Sequence, residues 1–340
     1  MPPALLYGAV NRKCREIHRK SQEQIHRLIV LLLRFALTIH DLRPLRFTAF
    51  RSWMVPKKVY TGSMYYKDDT VYYPQDEMNT VLLPVTTGCS YNRCAFCSMY
   101  KDTKYAEVPF PAIEAELKSG YTYTEKVFLT GADPLSIGFK KMKQLLDAIG
   151  HYLPYCARVA SYASIKNLSR YSQEELSFLH DAGLRLLYIG FETGRDDVLR
   201  LMKKGHSVEE AVEQAQKLNE ARLPFNTVIM YGIAGEEESV KNARSTAEMI
   251  NRFKTNTIIT MNLVIFYGTE LENMVKKGEF TPPGAKERLL EIRTLLENLF
   301  PRDQTVFDTT HPSNIIKISG TLPQDRQRLL TEVNRHLDQA

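Results

Sequence analysis

From about residue 80 onward, short apolar runs alternate with segments whose apolar residues recur every three or four positions. The first pattern is typical of buried strands and the second of amphipathic helices, so the alternation predicts βα units around a parallel sheet. Six runs are predicted to be strands, at residues 81–87, 126–130, 157–164, 184–192, 224–232 and 256–266. The predicted helices lie near residues 111–119, 138–151, 172–182, 195–221, 237–253 and 283–299.

Six consecutive units with short connections predict an α/β fold, a partial (β/α)6 TIM-like barrel that stays open because two of the usual eight units are missing. We divide the chain into a basic N-terminal extension (1–55), the barrel core (56–300) and a C-terminal segment (301–340). The C-terminal segment is predicted to hold an irregular stretch that forms a lid, followed by an amphipathic helix from about residue 323. Ligands of such sheets bind at the carboxyl ends of the strands, where each motif described below lies.

The longest apolar run, at residues 28–38, lies in the N-terminal extension and is interrupted by Arg34. It is shorter than the roughly 20 residues that cross a bilayer, so no membrane span is expected. Two interpretations of the extension stay open. It is either an amphipathic helix packed on the core, or the product of a coding start placed too far upstream, with Met54 or Met64 as the true first residue.

The net charge of +6 is unevenly distributed along the chain. Residues 1–60 contain 12 Lys and Arg but only 3 Asp and Glu, a net charge of +9, which leaves −3 for the other residues. The basic character therefore belongs to the extension, and the core is slightly acidic. This distribution favours a small-molecule substrate for the core and argues against nucleic acid as its partner.

Three of the five cysteines, Cys89, Cys94 and Cys97, follow the first predicted strand with the spacing C-x4-C-x2-C. Three thiolates can bind three irons of a [4Fe–4S] cluster and leave the fourth iron open. The alternatives are three unrelated core cysteines, or a structural zinc site completed by Cys156 or His151. Zinc sites usually combine two cysteine or histidine pairs, and no second pair is present. Unpaired cysteines also indicate a reducing compartment, so a cytoplasmic location is expected.

The cysteine loop resembles that of the radical S-adenosylmethionine (SAM) superfamily, in its Elp3/MiaB/NifB-like core, and the resemblance covers about residues 80–270. The common loop of that family is C-x3-C-x-aromatic-C, and this chain has one extra residue in the first gap. The resemblance implies that the three cysteines hold a [4Fe–4S] cluster. It also implies that Phe96, directly before the last cysteine, lies near the adenine of SAM.

The segment "TGADPL" after the second strand is similar to the family's glycine–glycine–acid segment, which holds the methionine amino group of SAM. Gly131, Ala132 and Asp133 occupy the matching positions, with alanine in place of the second glycine. Small residues at a strand end let the backbone approach a ligand closely. Taken alone, the same residues would make an ordinary β-turn.

The segment "YIGFETGRDD" at the end of the fourth strand is similar to another stretch of the family. The resemblance implies that Glu192 binds the ribose or the methionine amine of SAM, and that Arg195 pairs with its carboxylate. The alternative is a helix N-terminus, where acidic residues are favoured by the helix dipole, and this alternative is sufficient to explain Asp196 and Asp197.

The segment "MYGIAGEEE" at the end of the fifth strand is similar to the family pattern G-x-I-x-G-x-x-E, which places backbone groups against adenine. Ile233 is the residue implied to contact SAM, and Tyr231 stands where the first glycine is expected. Ser164 on the third strand is a further candidate for a ribose or substrate contact, as is Asn262 on the sixth. His311 is a candidate acid/base residue.

The resemblance implies that the protein is an enzyme whose cofactors are a [4Fe–4S] cluster and SAM. A reduced cluster would cleave SAM to methionine and a 5′-deoxyadenosyl radical, which would abstract a hydrogen atom from an unidentified small-molecule substrate. A flavodoxin- or ferredoxin-like protein is the expected electron donor. The alternatives are a structural zinc or iron–sulfur protein without SAM chemistry, and an RNA-modifying radical SAM enzyme that uses the basic N-terminal arm.

Overall fold

The computed structural model describes residues 71–119 and 123–340. The predictions made for the N-terminal extension lie outside the described residues.

The described strands alternate with helices along the chain. The strands are β1 (Val81–Pro84), β2 (Thr86–Thr87), β3 (Ala106–Glu107), β4 (Lys126–Thr130), β5 (Arg158–Ala163), β6 (Leu184–Glu192), β7 (Phe225–Tyr231), β8 (Thr257–Asn262), β9 (Thr305–Asp308) and β10 (Ser319–Leu322). The helices are α1 (Phe110–Leu117), α2 (Phe139–Tyr152), α3 (Ile165–Leu168), α4 (Gln173–Asp181), α5 (Asp196–Leu201), α6 (Val208–Glu220), α7 (Ser239–Ile250), α8 (Glu270–Lys276), α9 (Ala285–Asn298) and α10 (Arg326–Leu337).

Eight of the strands form one sheet in the order β1, β4, β5, β6, β7, β8, β9, β10, while β2 and β3 pair separately as a short antiparallel hairpin. The strands from β1 to β9 run parallel, and β10 is antiparallel to β9. Within the described residues the two outer strands, β1 and β10, do not pair with each other, so the sheet is open. The α/β class and the open parallel arrangement were predicted, and both are confirmed.

Both faces of the sheet carry apolar side chains, as expected for parallel strands that are buried on both sides. One face packs against the helices in the main core, to which the strands contribute, among others, Leu83, Val127, Leu129, Leu187, Ile189 and Phe225. The opposite face, here called the inner face, carries a separate cluster made of Leu82, Phe128, Ala160, Leu186 and Tyr188. Because successive residues of a strand point to opposite faces, the two sets alternate along each strand.

Local sequence signals explain where the helices begin. Capping boxes start α4 at Ser172 and α6 at Ser207, where each serine accepts from the backbone of the third residue of the helix and the glutamate there bonds back. The connections between successive parallel strands contain helices and return the chain across the sheet, so the carboxyl ends of these strands share one edge. No helix in the described ranges is long and apolar enough to cross a membrane.

The C-terminal segment differs from the prediction of an irregular stretch. Its residues form β9 and β10, which extend the sheet, before α10 begins at Arg326. The prediction missed both strands because each is only four residues long and carries polar positions. The loop 309–318 does lie at the carboxyl edge, since β9 is parallel to β8, but residues 320–325 belong to β10 and the turn into α10 and do not form a lid.

Candidate functional site

The cysteines lie in the loop that connects β2 to β3, the short hairpin that follows β1. Gly88 adopts φ 62°, and a Cβ at this position would lie 2.6 Å from the carbonyl oxygen of Thr103, so only glycine fits. Ala95 ties the loop to its surroundings. Its N–H donates to the carbonyl of Met202 (2.9 Å), and its carbonyl accepts from the N–H of Leu271 (3.0 Å). The loop is therefore held against the helices that follow β6 and β8.

The three cysteines of this loop are half-buried. Burial raises the pKa of the Cys94 thiol to about 11 and also raises the pKa of Cys97, because the thiolate is poorly solvated. The ammonium of Lys204 opposes this effect at both cysteines. Cys89 accepts a hydrogen bond at its Sγ from the backbone N–H of Asn92 (3.3 Å). A bound metal favours the thiolate, so metal binding would reverse the effect of burial.

The donor set fits a [4Fe–4S] cluster, although the thiols are not drawn together. In residues 71–119 and 123–340, no group of three His, Cys, Asp or Glu side chains converges closely enough to hold a metal ion. Cys89 and Cys97 are nevertheless near enough to Cys94 to raise its pKa further. Three thiols on one loop, with a lysine ammonium beside them, are suited to a cluster that keeps one iron open.

Asp133, which follows β4, lies in a dense polar cluster at the same edge of the sheet. Its Oδ2 accepts from the backbone N–H of Ser164 (3.2 Å), from the Ser164 hydroxyl and from Nδ2 of Asn167 (2.6 Å). Its Oδ1 is buried and has no hydrogen-bond partner among the described residues. Burial raises the pKa of Asp133 to about 6, although the bonds from Ser164 and Asn167 lower it. One acceptor oxygen of this carboxyl is thus available to a donor from a ligand.

The sequence prediction missed Asn167, which joins Asp133 to the cysteine loop. Its Nδ2 donates to Asp133 and also lies 3.2 Å from the Ser90 hydroxyl, next to Cys89. Ser164, a predicted site residue, caps α3 by accepting from the backbone N–H of Asn167 (3.2 Å). The sequence signal was weak, because an asparagine three residues after a serine is ordinary at the start of a helix.

Gly131 makes the closest approach between two strand ends. Its φ is 127°, and a Cβ there would lie only 2.0 Å from the hydroxyl oxygen of Thr86 and 2.8 Å from its carbonyl oxygen. Glycine is therefore required at this position, as the family pattern implied. Ala132 follows it and leads into Asp133, so the three predicted residues form one turn.

Glu192, the last residue of β6, forms a buried ion pair that the sequence prediction missed. Its Oε1 accepts from Nζ of Lys204 at 2.5 Å, and both side chains are mostly buried. Burial by itself lowers the pKa of Lys204, but the charges of Glu192 and Cys94 outweigh burial and raise it. The ammonium also lies 5.9 Å from the ring centre of Phe96. The available signal was the lysine–glycine pair that lies 12 residues after Glu192.

Arg195 lies close to the site, with both edges of its guanidinium already paired. Nε and Nη2 donate to the carboxylate of Asp197 (3.1 and 2.5 Å), and Nη1 bonds Glu238. These carboxylates raise the pKa of Arg195. The fold thus brings together Arg195 and Glu238, two residues from separate sequence motifs.

Ile233, after β7, is fully buried in an apolar cluster at the same edge. Phe96 packs against this cluster, as do Met230 and Ile265. The two residues that were predicted to lie near adenine are therefore in one apolar environment, although they are separated by more than 130 positions in the sequence.

Three other candidates are hydrogen-bonded to residues outside this cluster. Asn262 is bonded to Ser313, with its backbone N–H donating to the Ser313 hydroxyl and its Nδ2 to the Ser313 carbonyl, both at 3.0 Å. His311 lies in the same loop, 2.8 Å from the Ser313 hydroxyl, and burial lowers its pKa to about 4. Cys156 bonds the carbonyl of Arg158 at the start of β5, which is the opposite edge of the sheet from the cysteine loop. Cys156 is therefore unsuited to complete a metal site there.

The structure thus places a three-cysteine loop at the carboxyl edge of an open, mostly parallel α/β sheet. The family description "Radical SAM superfamily" matches residues 83–273, more than half of the chain. The chain belongs to the radical SAM superfamily, and membership makes it an enzyme with a [4Fe–4S] cluster and SAM as its cofactors.

Several curated proteins are similar to parts of the chain. It is 24% identical over 213 residues to the heme chaperone HemW of Bacillus subtilis, covering 58% of this chain and 53% of that protein. It is 26% identical over 137 residues to a tRNA uridine(34) acetyltransferase of Methanocaldococcus infernus, covering 38% and 24%. It is 23% identical over 269 residues to a tRNA-2-methylthio-N(6)-dimethylallyladenosine synthase of Chlorobium luteolum, covering 74% and 56%. The matches thus span between a quarter and little more than half of these relatives' lengths.

Solved structures that are similar to part of the chain include a radical SAM methyltransferase and an archaeal Elp3. The methyltransferase TsrM of Kitasatospora setae has 18% sequence identity and a TM-score of 0.49, over 58% of this chain and 39% of that one. Elp3 of Methanocaldococcus infernus has 16% identity and a TM-score of 0.46, over 76% and 63%.

Proposed function

We propose that the protein reductively cleaves SAM at a [4Fe–4S] cluster bound by Cys89, Cys94 and Cys97, and that it acts on a small-molecule substrate. When bound, the cluster and SAM supply the radical chemistry: one electron cleaves the sulfonium to methionine and a 5′-deoxyadenosyl radical, which takes a hydrogen atom from the substrate. A reduced flavodoxin- or ferredoxin-like protein is the electron donor that this reaction requires.

One observation carries the proposal: chemically distinct residues follow four parallel strands of one sheet in the order that the family pattern implies. The cysteine loop follows β1, Asp133 follows β4, Glu192 ends β6 and Ile233 follows β7. The carboxyl ends of parallel strands meet at one edge of the sheet, which is where ligands of such sheets bind. The bonds of Asn167 to Asp133 and Ser90 support a common site.

Each proposed SAM contact has a physical basis in this chain. The unpartnered Oδ1 of Asp133 accepts from the amino group of SAM, beside the close backbone approach at Gly131. The apolar cluster of Phe96 and Ile233 excludes water from the adenine. Glu192, paired with Lys204, accepts from the ribose or the amine.

Ser164, Ala132 and Arg195 have less direct roles in the proposal. Ser164 orients Asp133 through two hydrogen bonds. Ala132 is the small residue between Gly131 and Asp133 in the turn. Arg195 pairs with the carboxylate of SAM, a contact that replaces or supplements one of its present ion pairs with Asp197 and Glu238.

Charge supports a small-molecule substrate, because the chain without residues 1–60 has a net charge of −3. RNA modification is the second candidate. It is favoured by the net charge of +9 in residues 1–60 and by the names of two relatives, which describe tRNA-modifying enzymes. That candidate predicts salt-sensitive RNA binding that disappears when residues 1–55 are deleted.

The test is an anaerobic assay of the reconstituted protein with SAM and dithionite. Iron and sulfide are determined chemically, and 5′-deoxyadenosine is measured by mass spectrometry. Cys94→Ala is expected to abolish both cluster assembly and SAM cleavage. Cys156→Ala is the matched control, because Cys156 lies at the other edge of the sheet, and it is expected to behave like the wild type.

Formation of 5′-deoxyadenosine with about four irons per chain would support the proposal. Zinc in place of iron, or a complete cluster that leaves SAM intact, would instead favour the structural zinc or iron–sulfur alternative. Cleavage of SAM by Cys94→Ala at the wild-type rate would contradict the assignment of the cysteine loop.

A further inference from the structure

A buried polar network behind the site joins helices α7 and α9 to the strand ends. Glu291 of α9 is 1% exposed, and both of its carboxylate oxygens accept hydrogen bonds. Oε2 accepts from the backbone N–H of Gly232 (2.7 Å), and Oε1 accepts from Nδ2 of Asn242 on α7 (2.8 Å). Asn242 in turn accepts from the hydroxyl of Thr193 (2.5 Å). One carboxylate thus links the end of β7 to the end of β6.

The same two helices hold the neighbouring backbone. The N–H of Gly194 donates to the Thr246 hydroxyl on α7 (3.0 Å), and Arg288 of α9 donates to the carbonyl of Leu263 after β8 (3.2 Å). Gly232 adopts φ 76°, and a Cβ there would lie 3.0 Å from the guanidinium carbon of Arg288. Helices α7 and α9 are therefore hydrogen-bonded to the backbone at the ends of three adjacent strands, β6, β7 and β8.

The strand-end residues bonded by Asn242 and Glu291 are next to proposed SAM contacts. Thr193 directly follows Glu192, and Gly232 directly precedes Ile233. A shift of either strand end would move one of these contacts, and ligand affinity depends steeply on such placement. Nothing in the sequence motifs pointed to Glu291, which lies almost 60 residues after Ile233.

We infer that Glu291 is a positioning residue: as an ionised carboxylate it holds the ends of β6 and β7 in the arrangement that binds SAM. The inference rests on the proposed function. Protonation makes one carboxylate oxygen a hydroxyl, which is a weaker acceptor and adds an O–H donor beside an N–H donor, so one of the two links would weaken. Glutamine replaces one acceptor oxygen by an NH2 group that only donates, so Glu291→Gln breaks one link at every pH.

The pKa of Glu291 lies close to neutral pH. Burial raises its pKa to about 7, although its two hydrogen bonds and Arg288 lower it. The other titratable groups that face it are Glu287 on its own helix, Tyr231 on β7, and Glu192 at the end of β6. Glu192 lines the same small cavity and is paired with Lys204. We expect the link between β6 and β7 to weaken as the pH falls below about 7.

Stability and affinity should respond to pH in opposite directions. A pKa raised in the folded state means that the folded protein holds the proton more tightly than the unfolded chain. The contribution of Glu291 to stability is then lost as the pH rises from about 4.5 to about 7. SAM affinity is expected to rise as the pH passes through 7. A merely structural role would move both quantities together.

The first experiment measures hydrogen exchange by mass spectrometry on the folded full-length protein at pH 8, without SAM. In Glu291→Gln, peptides covering residues 190–196 and 230–236 are expected to exchange about tenfold faster, as for loss of one hydrogen bond to a charged group. A peptide covering residues 126–133 serves as the internal reference. Glu297→Gln, on the exposed face of the same helix, is the matched control and is expected to leave all three peptides unchanged.

The second experiment measures the dissociation constant of SAM for the reconstituted protein between pH 6 and pH 8. The ratio of the Glu291→Gln value to the wild-type value is expected to be about ten at pH 8 and to approach one at pH 6, because the wild-type carboxylate is then largely protonated. Taking the ratio cancels the titration of SAM itself. If Glu291→Gln does not fold, Thr193→Val removes the link from Asn242 to β6 and is expected to change exchange in the 190–196 peptide.

Unchanged exchange in both strand-end peptides, or an affinity ratio that is constant with pH, would overturn the inference. A wild-type protein that binds no SAM at any pH would contradict the proposed function. In that case the exchange of the 190–196 and 230–236 peptides still decides whether Glu291 holds the two strand ends.

Discussion

A buried carboxylate lies at each of the two edges of the sheet, and the two carboxylates differ in their hydrogen bonding. At the amino edge, Glu77 is fully buried, and both of its oxygens accept from the guanidinium of Arg158 (2.8 and 2.7 Å). Its Oε1 also accepts from the hydroxyl of Tyr188 on the inner face (2.9 Å). Each oxygen of this carboxylate is bonded within the fold.

At the carboxyl edge the bonding is incomplete. All the hydrogen bonds of Asp133 converge on Oδ2, and Oδ1 has no partner among the described residues. Glu192 is held at φ 65°, a left-handed conformation that is unfavourable for a residue with a side chain. Buried acceptors without partners and strained residues concentrate at binding sites. This contrast supports the proposal that the amino edge stabilises the fold and the carboxyl edge binds a ligand.

The largest effect is expected at the amino edge. Glu77→Gln leaves Arg158 without its counterion and removes one acceptor, so we expect a loss of about 3 kcal/mol in the free energy of unfolding. Denaturant titration measures this loss. SAM affinity of the folded fraction should stay within about twofold of wild type, since additivity holds for distant sites. A large loss of affinity without a loss of stability would contradict the division between the edges.

Asp133→Asn should have the opposite effects, a loss of SAM affinity without a loss of stability. Its carbonyl can take the place of Oδ2, because the three donors already converge on one oxygen. The raised pKa of Asp133, about 6, means that its contribution to stability is lost as the pH rises from about 4 to about 6. Above pH 6 the variant should therefore be more stable than wild type, by up to about 3 kcal/mol.

SAM affinity of the same variant should fall about tenfold or more, because a charge-assisted hydrogen bond is removed. Thermal unfolding between pH 4 and pH 8 and equilibrium dialysis with SAM give the two readouts. If Asp133→Asn were destabilised at pH 8 while SAM bound normally, the carboxyl would belong to the scaffold.

The smallest effect should come from two helix-capping serines. Ser172→Ala at the start of α4 and Ser164→Ala at the start of α3 each remove a cap, at about 1 kcal/mol of stability. Only Ser164 also donates to Asp133, so only Ser164→Ala should weaken SAM binding. The comparison is made by denaturant titration and SAM dialysis of both variants, and an equal loss of affinity in the two would remove Ser164 from the site.

Periodicity and turn residues predicted the elements well where the apolar runs were long. The six predicted strands correspond to β1 and to β4 through β8, and β4 and β6 match at both ends. β8 ends at Asn262, four residues earlier than predicted, because its apolar continuation turns away from the sheet into the apolar cluster around Ile233. β9 and β10 were missed because four-residue strands leave too short a pattern to recognise.

The sequence by itself determined the features on which the proposed cluster and SAM site rests: three cysteines with a fixed spacing, and small or acidic residues at strand ends. These features are local, since spacing, glycine conformation and strand length are set by neighbouring residues. Only the tertiary structure decided which residues of separate elements bond to one another. Lys204 with Glu192, Asn167 with Asp133, and Glu291 with Gly232 are pairs between separate elements. Such pairing follows from the packing of helices on the sheet, which no local pattern records.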